Sequence, residues 1–149
     1  MRSVVQRVSE ARVEVEGEVV GSIGPGLLAY IGVAAGDRAE DAAWLADKIA
    51  NLRVFMDAEE KMNRSVVDEG GSVLAVSQFT LLADARKGRR PSYSDAAPPA
   101  EAQALFEDFV ARLRPLVAKV ETGRFQAVMR VAYVNEGPIT ILLDSKKTF

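Results

Sequence analysis

The sequence predicts an α+β fold: one domain, with a mainly antiparallel or mixed sheet curled toward a barrel and two helices. Three observations carry that expectation. Apolar and polar residues alternate through several stretches, the period of a half-buried strand. Only two stretches repeat apolar residues at helical spacing. Strands and helices do not follow one another with βαβ regularity, which argues against a doubly wound parallel sheet. The length of 149 residues suits a single domain over 1–149.

The elements follow in order. "SVVQRVS" and "RVEVEGEVVGSI" alternate and read as strands, with a hairpin corner at Gly17-Glu18. "GPGLLAYIGVA" reads as a buried strand behind a Gly-Pro-Gly turn. Asp37 is placed to cap a helix, with Glu40 three residues on, and Leu45, Ile49 and Leu52 share one face of it. "RVF" is a short strand, and "DAEEKMNRSVVDEGG" a polar loop with one apolar anchor. "SVLAVSQFTL" is a continuous apolar strand that ends in hydroxyl and amide residues. "ADARKGRRPSYSDAAPP" is a polar loop of about seventeen residues, a length that inside compact domains usually marks function or disorder. A helix is expected over 99–119, where Leu105, Phe106, Phe109, Val110, Leu113, Leu116 and Val117 recur at helical spacing. Pro115 inside it calls for a kink or an early end. "KVETG" and two strands around "NEGPIT" close the chain. "NEGPIT" reads as a turn, and Pro138 after Gly137 removes a donor and fixes φ, leaving a stiff corner with exposed carbonyls.

Two zeros narrow the chemistry. Without cysteine there is no disulfide, thiolate nucleophile or Cys-ligated metal, and without histidine there is no Ser-His-Asp triad and no HExxH zinc site. An enzyme of this composition must use carboxylates, lysine, hydroxyls, backbone groups or its own substrate. Net charge is −2, so any nucleic-acid binding must come from a local patch. The start lacks the apolar core of a signal peptide, and "GLLAYIGVAAG" is too short and glycine-rich to span a bilayer. A cytoplasmic protein without membrane attachment is expected, and no metal or cofactor.

Two segments are candidates for function. Ser77, Gln78 and Thr80 cluster where an apolar strand meets the long loop, and sites are often built at such strand ends. The alternative is a buried strand whose hydroxyls pair with neighbouring backbone. A hydroxyl nucleophile needs a base to activate it, and none is visible. In the loop, Arg86, Lys87, Arg89 and Arg90 put four basic residues in five positions. They form either a solvated surface or a phosphate-binding patch. "GSIGPG" lacks the lysine and spacing of a P-loop.

"SQFTL", followed by "ADARKGRRPSYSDAAPP" and then "ETGRFQAVMRVAYVNEGPITILLDS", strongly resembles the D-aminoacyl-tRNA deacylase (D-tyrosyl-tRNA deacylase) family. "QRVSEARVEVEGEVVGSIGPGLL" and "KMNRSVVD" are similar to the same family, so the likeness runs over about residues 1–145. The SQFT and NxGPxT motifs are specific in this order and separation. Glu136 stands where the family usually has Asp, and Gln126 and Tyr133 where it usually has a small residue and Leu. These departures flank the motifs and bear on substrate range.

The resemblance implies a homodimer acting on aminoacyl-tRNA, with Gly137 and Pro138 of one subunit entering the other's pocket as a chirality filter. Ser77, Gln78 and Thr80 would surround the reacting ester. Phe79 and Met129 would bind substrate, Gln78 and Phe79 helping to hold the terminal adenosine. Arg86, Lys87, Arg89 and Arg90 would meet the tRNA. A cis Gly137-Pro138 bond is accessible at about 0.5–1 kcal/mol over trans and would aim two carbonyls the same way, toward the substrate ammonium. An L side chain would then strike the corner, whereas glycyl-tRNA would pass. The missing histidine fits hydrolysis assisted by the RNA 2′-hydroxyl, with the protein supplying orientation and electrostatics. Two alternatives are a non-catalytic tRNA-binding module and an esterase with Thr80 as nucleophile.

Overall fold

The structure, a computed structural model, describes residues 1–149. Its elements are β1 (Arg2–Val15), β2 (Glu18–Ile23), β3 (Gly26–Gly32), α1 (Ala39–Asn51), β4 (Phe55–Met56), β5 (Met62–Arg64), β6 (Ser72–Ser77), a 3₁₀ turn (Phe79–Leu82), α2 (Pro99–Leu113), β7 (Lys119–Thr122) and β8 (Arg130–Asp144).

β1 organises the sheet because it is long enough to serve three partners. Its first half pairs antiparallel with β3 and its second half with β2, while β8 runs antiparallel along the other edge. The order β2-β1-β3-β6-β7 then continues through parallel joins, so the sheet is mixed. Gly21 of β2 lies against the Thr122 carbonyl of β7, an approach that a side chain would block. The sheet is thereby nearly closed into a barrel. Each parallel join spans a helix, α1 between β3 and β6 and α2 between β6 and β7. The βαβ order escapes the sequence pattern because the β4–β5 hairpin and the long loop interrupt it.

The two helices cover one face, where Phe109, Leu45 and Ile49 meet Leu27, Ile31 and Val73. Inside the curl, Val8, Val13, Ile23, Leu28 and Leu74 form a smaller cluster. Complete burial of a large side chain such as Phe109 contributes roughly 2–3 kcal/mol.

Several elements differ from the sequence expectation. The N-cap of α1 is Arg38, not Asp37. The Asp37 carboxylate instead accepts the Ala34 N–H at 2.7 Å and pairs with the buried Met1 ammonium at 2.8 Å. Asp41 takes over at the helix start, accepting the Arg38 N–H at 2.8 Å. α2 stops at Leu113, short of 119, with Pro115 two residues beyond. The loop after β4 contains β5, and its apolar anchor is the buried Val66. β6 ends at Ser77: the Gln78 N–H makes the last bond to β3, on the Ile31 carbonyl at 2.7 Å, and the chain then tightens into the 3₁₀ turn.

"NEGPIT" is not a hairpin turn. β8 runs through it as one strand, both halves paired with β1. Val8 faces Asn135 and Gln6 faces Thr140, so Glu136, Gly137, Pro138 and Ile139 stand against Arg7 alone. The surplus bulges out of the sheet, and the strand resumes in the same direction.

Candidate active site

The end of β6 delivers Ser77 and Gln78, and the 3₁₀ turn folds Phe79 and Thr80 back beside them. These four residues form one wall of a cavity of about 530 Å³. Val33, Ala97, Ala102, Phe125 and Met129 supply apolar walls, and Gln126 adds an amide. The expected residues Ser77, Gln78, Phe79, Thr80 and Met129 are therefore brought together. Phe125 completes the site although the sequence reading did not place it there, and Gln126, singled out above only as a departure from the family, stands beside it. The available signal was a single aromatic in the polar run "ETGRFQ".

No acidic or basic side chain lines the cavity. The Gln78 amide donates to Thr80 Oγ1 at 2.9 Å, so the hydroxyl oxygen receives a proton donor rather than facing a base. That arrangement positions a hydroxyl; it does not activate one. The cavity can hold a planar apolar group and surround a polar one with neutral hydrogen-bonding partners. A second hollow adjoins it, sharing Ser77, Gln78 and Met129 and bounded by Tyr30 and Tyr133. Burial pushes the Tyr30 phenol up, and neighbouring Tyr133 pushes it the same way, so Tyr30 stays neutral.

The basic loop is attached to this site through an aromatic contact. Phe79, 56% exposed, meets Tyr93 edge to face at 5.1 Å between ring centres. Asp84 and Ser92 close the loop with two backbone hydrogen bonds of 2.8 Å. The four basic residues are not equivalent. The Arg86 guanidinium folds onto the Asp84 carboxylate, Nη2 to Oδ2 at 2.6 Å, and holds that carboxyl down at about 2. Lys87, Arg89 and Arg90 are exposed and lack such a partner.

The Gly137-Pro138 peptide is cis, and both residues are exposed. Within one chain the corner lines neither hollow. It is braced by the residues around it. Asn135 Oδ1 accepts the Ile139 N–H at 3.1 Å, and the Asn135 amide reaches Thr140 Oγ1 at 3.4 Å. Thr140 also accepts from Gln6 at 3.1 Å. Arg7 donates to the Glu136 carbonyl at 3.3 Å and to the Val54 carbonyl at 2.8 Å. The Asn and Thr of NxGPxT are thus the two sides of a clamp, and Gly-Pro is what the clamp holds out.

A model of the D-Tyr-tRNA(Tyr) deacylase family matches residues 4–144. The chain belongs to that family. Its members are hydrolases acting on ester bonds. A D-aminoacyl-tRNA deacylase from Desulfitobacterium hafniense is 60% identical over 149 residues, covering 100% of both chains. Among solved structures, the c-Myc DNA Unwinding Element Binding Protein superposes with a TM-score of 0.92 at 37% identity, over 97% of this chain and 98% of its own. A probable eukaryotic D-amino acid tRNA deacylase shares the fold, with a TM-score of 0.82 at 17% identity over 95% and 97% of the two chains. No helix is long and apolar enough to cross a membrane.

Proposed function

We propose that the protein hydrolyses the ester of D-aminoacyl-tRNA, releasing the D-amino acid and the tRNA, and that it rejects L-aminoacyl-tRNA. One observation carries the reading beyond family membership. A cavity whose polar groups are all neutral lies in the same molecule as a braced, exposed corner that does not line it. The first can hold an ester without attacking it, and the second is a shape held ready for another pocket.

In this reading two copies assemble so that Gly137 and Pro138 of each enter the hollow beside Ser77 of the other. Exposed apolar residues on the same strand, Val134 at 49% and Leu142 at 60%, favour such a covered face. The corner carbonyls accept from the substrate ammonium. A D side chain clears the corner, an L side chain meets it, and glycyl-tRNA has nothing to reject. The terminal nucleoside occupies the apolar part of the cavity. Water adds to the ester carbonyl with help from the vicinal 2′-hydroxyl, the bond from that carbonyl carbon to the ribose oxygen breaks, and the proton passes to the ribose oxygen. The protein contributes orientation and hydrogen bonds to the developing charge. Lys87, Arg89 and Arg90 meet the tRNA backbone, with Arg86 beside them in its pair with Asp84. Such an enzyme works where tRNA is charged, in the cytoplasm.

The test is release of amino acid from D-tyrosyl-tRNA, L-tyrosyl-tRNA and D-tyrosyl-tRNA ending in 2′-deoxyadenosine. The expected result is release from the first alone. A binding module would release neither enantiomer, and full activity on the deoxy substrate would rule out assistance by the 2′-hydroxyl.

A further inference from the structure

Phe125 belongs to two hollows. Besides the cavity by Ser77, it lines a groove of about 420 Å³ bounded by α2 on one side and by Thr122 to Phe125 on the other. The groove's lining on α2 runs from Gln103 to Arg114, about 16 Å along the helix. Phe106 and Val110, both buried, give it an apolar base. Two guanidiniums line it as well, from Arg114 and Arg124. Arg112 on the same helix spends its charge on Asp108 at 3.1 Å. Arg114 instead donates one N–H to the Val120 carbonyl at 3.0 Å, which orients the group and leaves its other donors free. Arg124 is exposed, and its side chain bonds to nothing in the chain. The one carboxylate in the groove, Glu107, accepts from the Gln103 amide at 3.2 Å and pairs with neither arginine.

We propose that this groove binds the single-stranded RNA just before the substrate's terminal adenosine, with phosphates on Arg124 and Arg114. The inference rests on the first cavity holding a tRNA 3′ end, as proposed above. A strand whose last nucleoside fills that cavity must leave it, and the groove opens from it at Phe125. The basic loop is attached elsewhere, at Phe79. The lining suits such a strand. Single-stranded nucleic acid alternates charged phosphates with flat bases, and sites for it combine cations with apolar surface. A guanidinium can meet a phosphate with two parallel hydrogen bonds. Arg124, next to Phe125, takes the phosphate nearest the adenosine, and Arg114 takes the one before it. The two cytidines that precede the adenosine in every tRNA lie over Phe106 and Val110. The basic loop is then left for more distant parts of the tRNA.

Substrates of graded length separate the groove from the rest of the surface. Deacylation of D-tyrosyl-adenosine, the D-tyrosyl-CCA trinucleotide and D-tyrosyl-tRNA is measured over a range of salt. Each phosphate contact to a single strand adds about 0.7 to the salt slope of log affinity. In the wild type, log KM should therefore rise with log salt more steeply on the trinucleotide than on the adenosine ester, by about 1.4. Arg124→Gln and Arg114→Gln should each lower that difference by about 0.7, and Arg124→Lys should restore it, because the contact needs charge. Arg114 also holds the Val120 carbonyl, so Arg124→Gln decides the matter if Arg114→Gln fails to fold. Equal slopes on the two short esters, or a difference that Arg124→Gln leaves intact, would overturn the assignment alone. So would a difference that vanishes when Lys87, Arg89 and Arg90 become alanine, since the strand would then run over the loop. Release from the tRNA and from neither short ester would place recognition outside the groove and overturn it too. A wild type that releases D-tyrosine from none of the three would overturn the reading beneath it, and the assignment with it.

Discussion

Two segments leave the body of the fold, the Glu136–Ile139 corner and the loop from Ala83 to Pro98, and they are built in opposite ways. The corner donates its Ile139 N–H to Asn135 and accepts from Arg7 at the Glu136 carbonyl, and Gln6 in turn steadies Thr140, the clamp's far side. The loop has two backbone bridges, Asp84 to Ser92 across its base and Ala96 to Ala34 at its end, with one ion pair and one aromatic contact, and beyond these Lys87, Arg89 and Arg90 hang in solvent. Rejecting a shape demands atoms that do not yield, whereas attracting a polyanion demands charge within reach and tolerates motion. Stiffness is therefore spent on the neutral segment and withheld from the charged one.

The harshest way to break that contrast is at Gly137. Its φ is 131°, and an added Cβ would lie 2.8 Å from Ile139 Cγ1 and 3.0 Å from the Ile139 nitrogen. Gly137→Ala must therefore displace the corner. A misplacement of about 1 Å can cost roughly a hundredfold in rate, so kcat/KM on D-tyrosyl-tRNA should fall by about that factor. Single-turnover deacylation at saturating enzyme checks it. Unchanged activity would mean the corner is only a bulge.

Asn135→Ala tests the clamp without touching the corner itself. It leaves the Ile139 N–H without its acceptor, a defect worth about 1–3 kcal/mol. If the clamp supplies stiffness, the ratio of D to L cleavage should drop by about tenfold, mostly because L cleavage rises. A pure stability defect would lower the melting temperature and leave the ratio alone.

The loop answers to a different measurement. Replacing Lys87, Arg89 and Arg90 with alanine should raise KM and reduce the slope of log affinity against log salt by about two to three. The D to L ratio should not change. A shift in that ratio would mean that the loop shapes the pocket and that the two segments are not separate devices.

Acid should act on the body of the fold through Asp41. Burial pushes the Asp41 carboxyl up, but hydrogen bonds from Ser145, the Arg38 N–H and Lys146 outweigh it and hold the group at about 2. A depressed carboxyl stabilises the fold above its unfolded pKa of about 4, and that contribution is lost as pH falls toward 2. It amounts to about 2 kcal/mol. Melting curves of the wild type should drop between pH 4 and pH 2, and those of Asp41→Asn should start lower and drop less.

How much of this was legible beforehand depends on whether a feature is local. The Phe109 stripe follows from spacing alone and stands, and the hairpin expected at Gly17-Glu18 is present with its corner one residue earlier, at Glu16-Gly17, because Glu18 already pairs with Val15. SQFT marked the cavity wall because hydroxyl and amide side chains at an apolar strand end are unusual in themselves. The run at NEGPIT was misread for a physical reason. Alternation with period two is the same whether a strand reverses or resumes, and only the shared pairing with β1 distinguishes the cases. Asp37 misled in a similar way, since a capping carboxylate and one paired with the Met1 ammonium look alike in sequence.

The smallest effect is expected at Thr80, the residue that a nucleophilic mechanism would make indispensable. Its oxygen already accepts from the Gln78 amide, and no carboxylate or imidazole stands near to take its proton. Thr80→Ala deletes that acceptor and frees the amide to turn toward the substrate, which can take up the bond. The loss should be only a few-fold in kcat, about the worth of one neutral hydrogen bond. Rapid-quench experiments can look for a burst of free tRNA ahead of amino acid. A burst in the wild type, together with complete loss in Thr80→Ala at unchanged binding, would restore the acyl-enzyme route. In that case the chemistry would belong to the protein, and the corner would only choose which enantiomer reaches it.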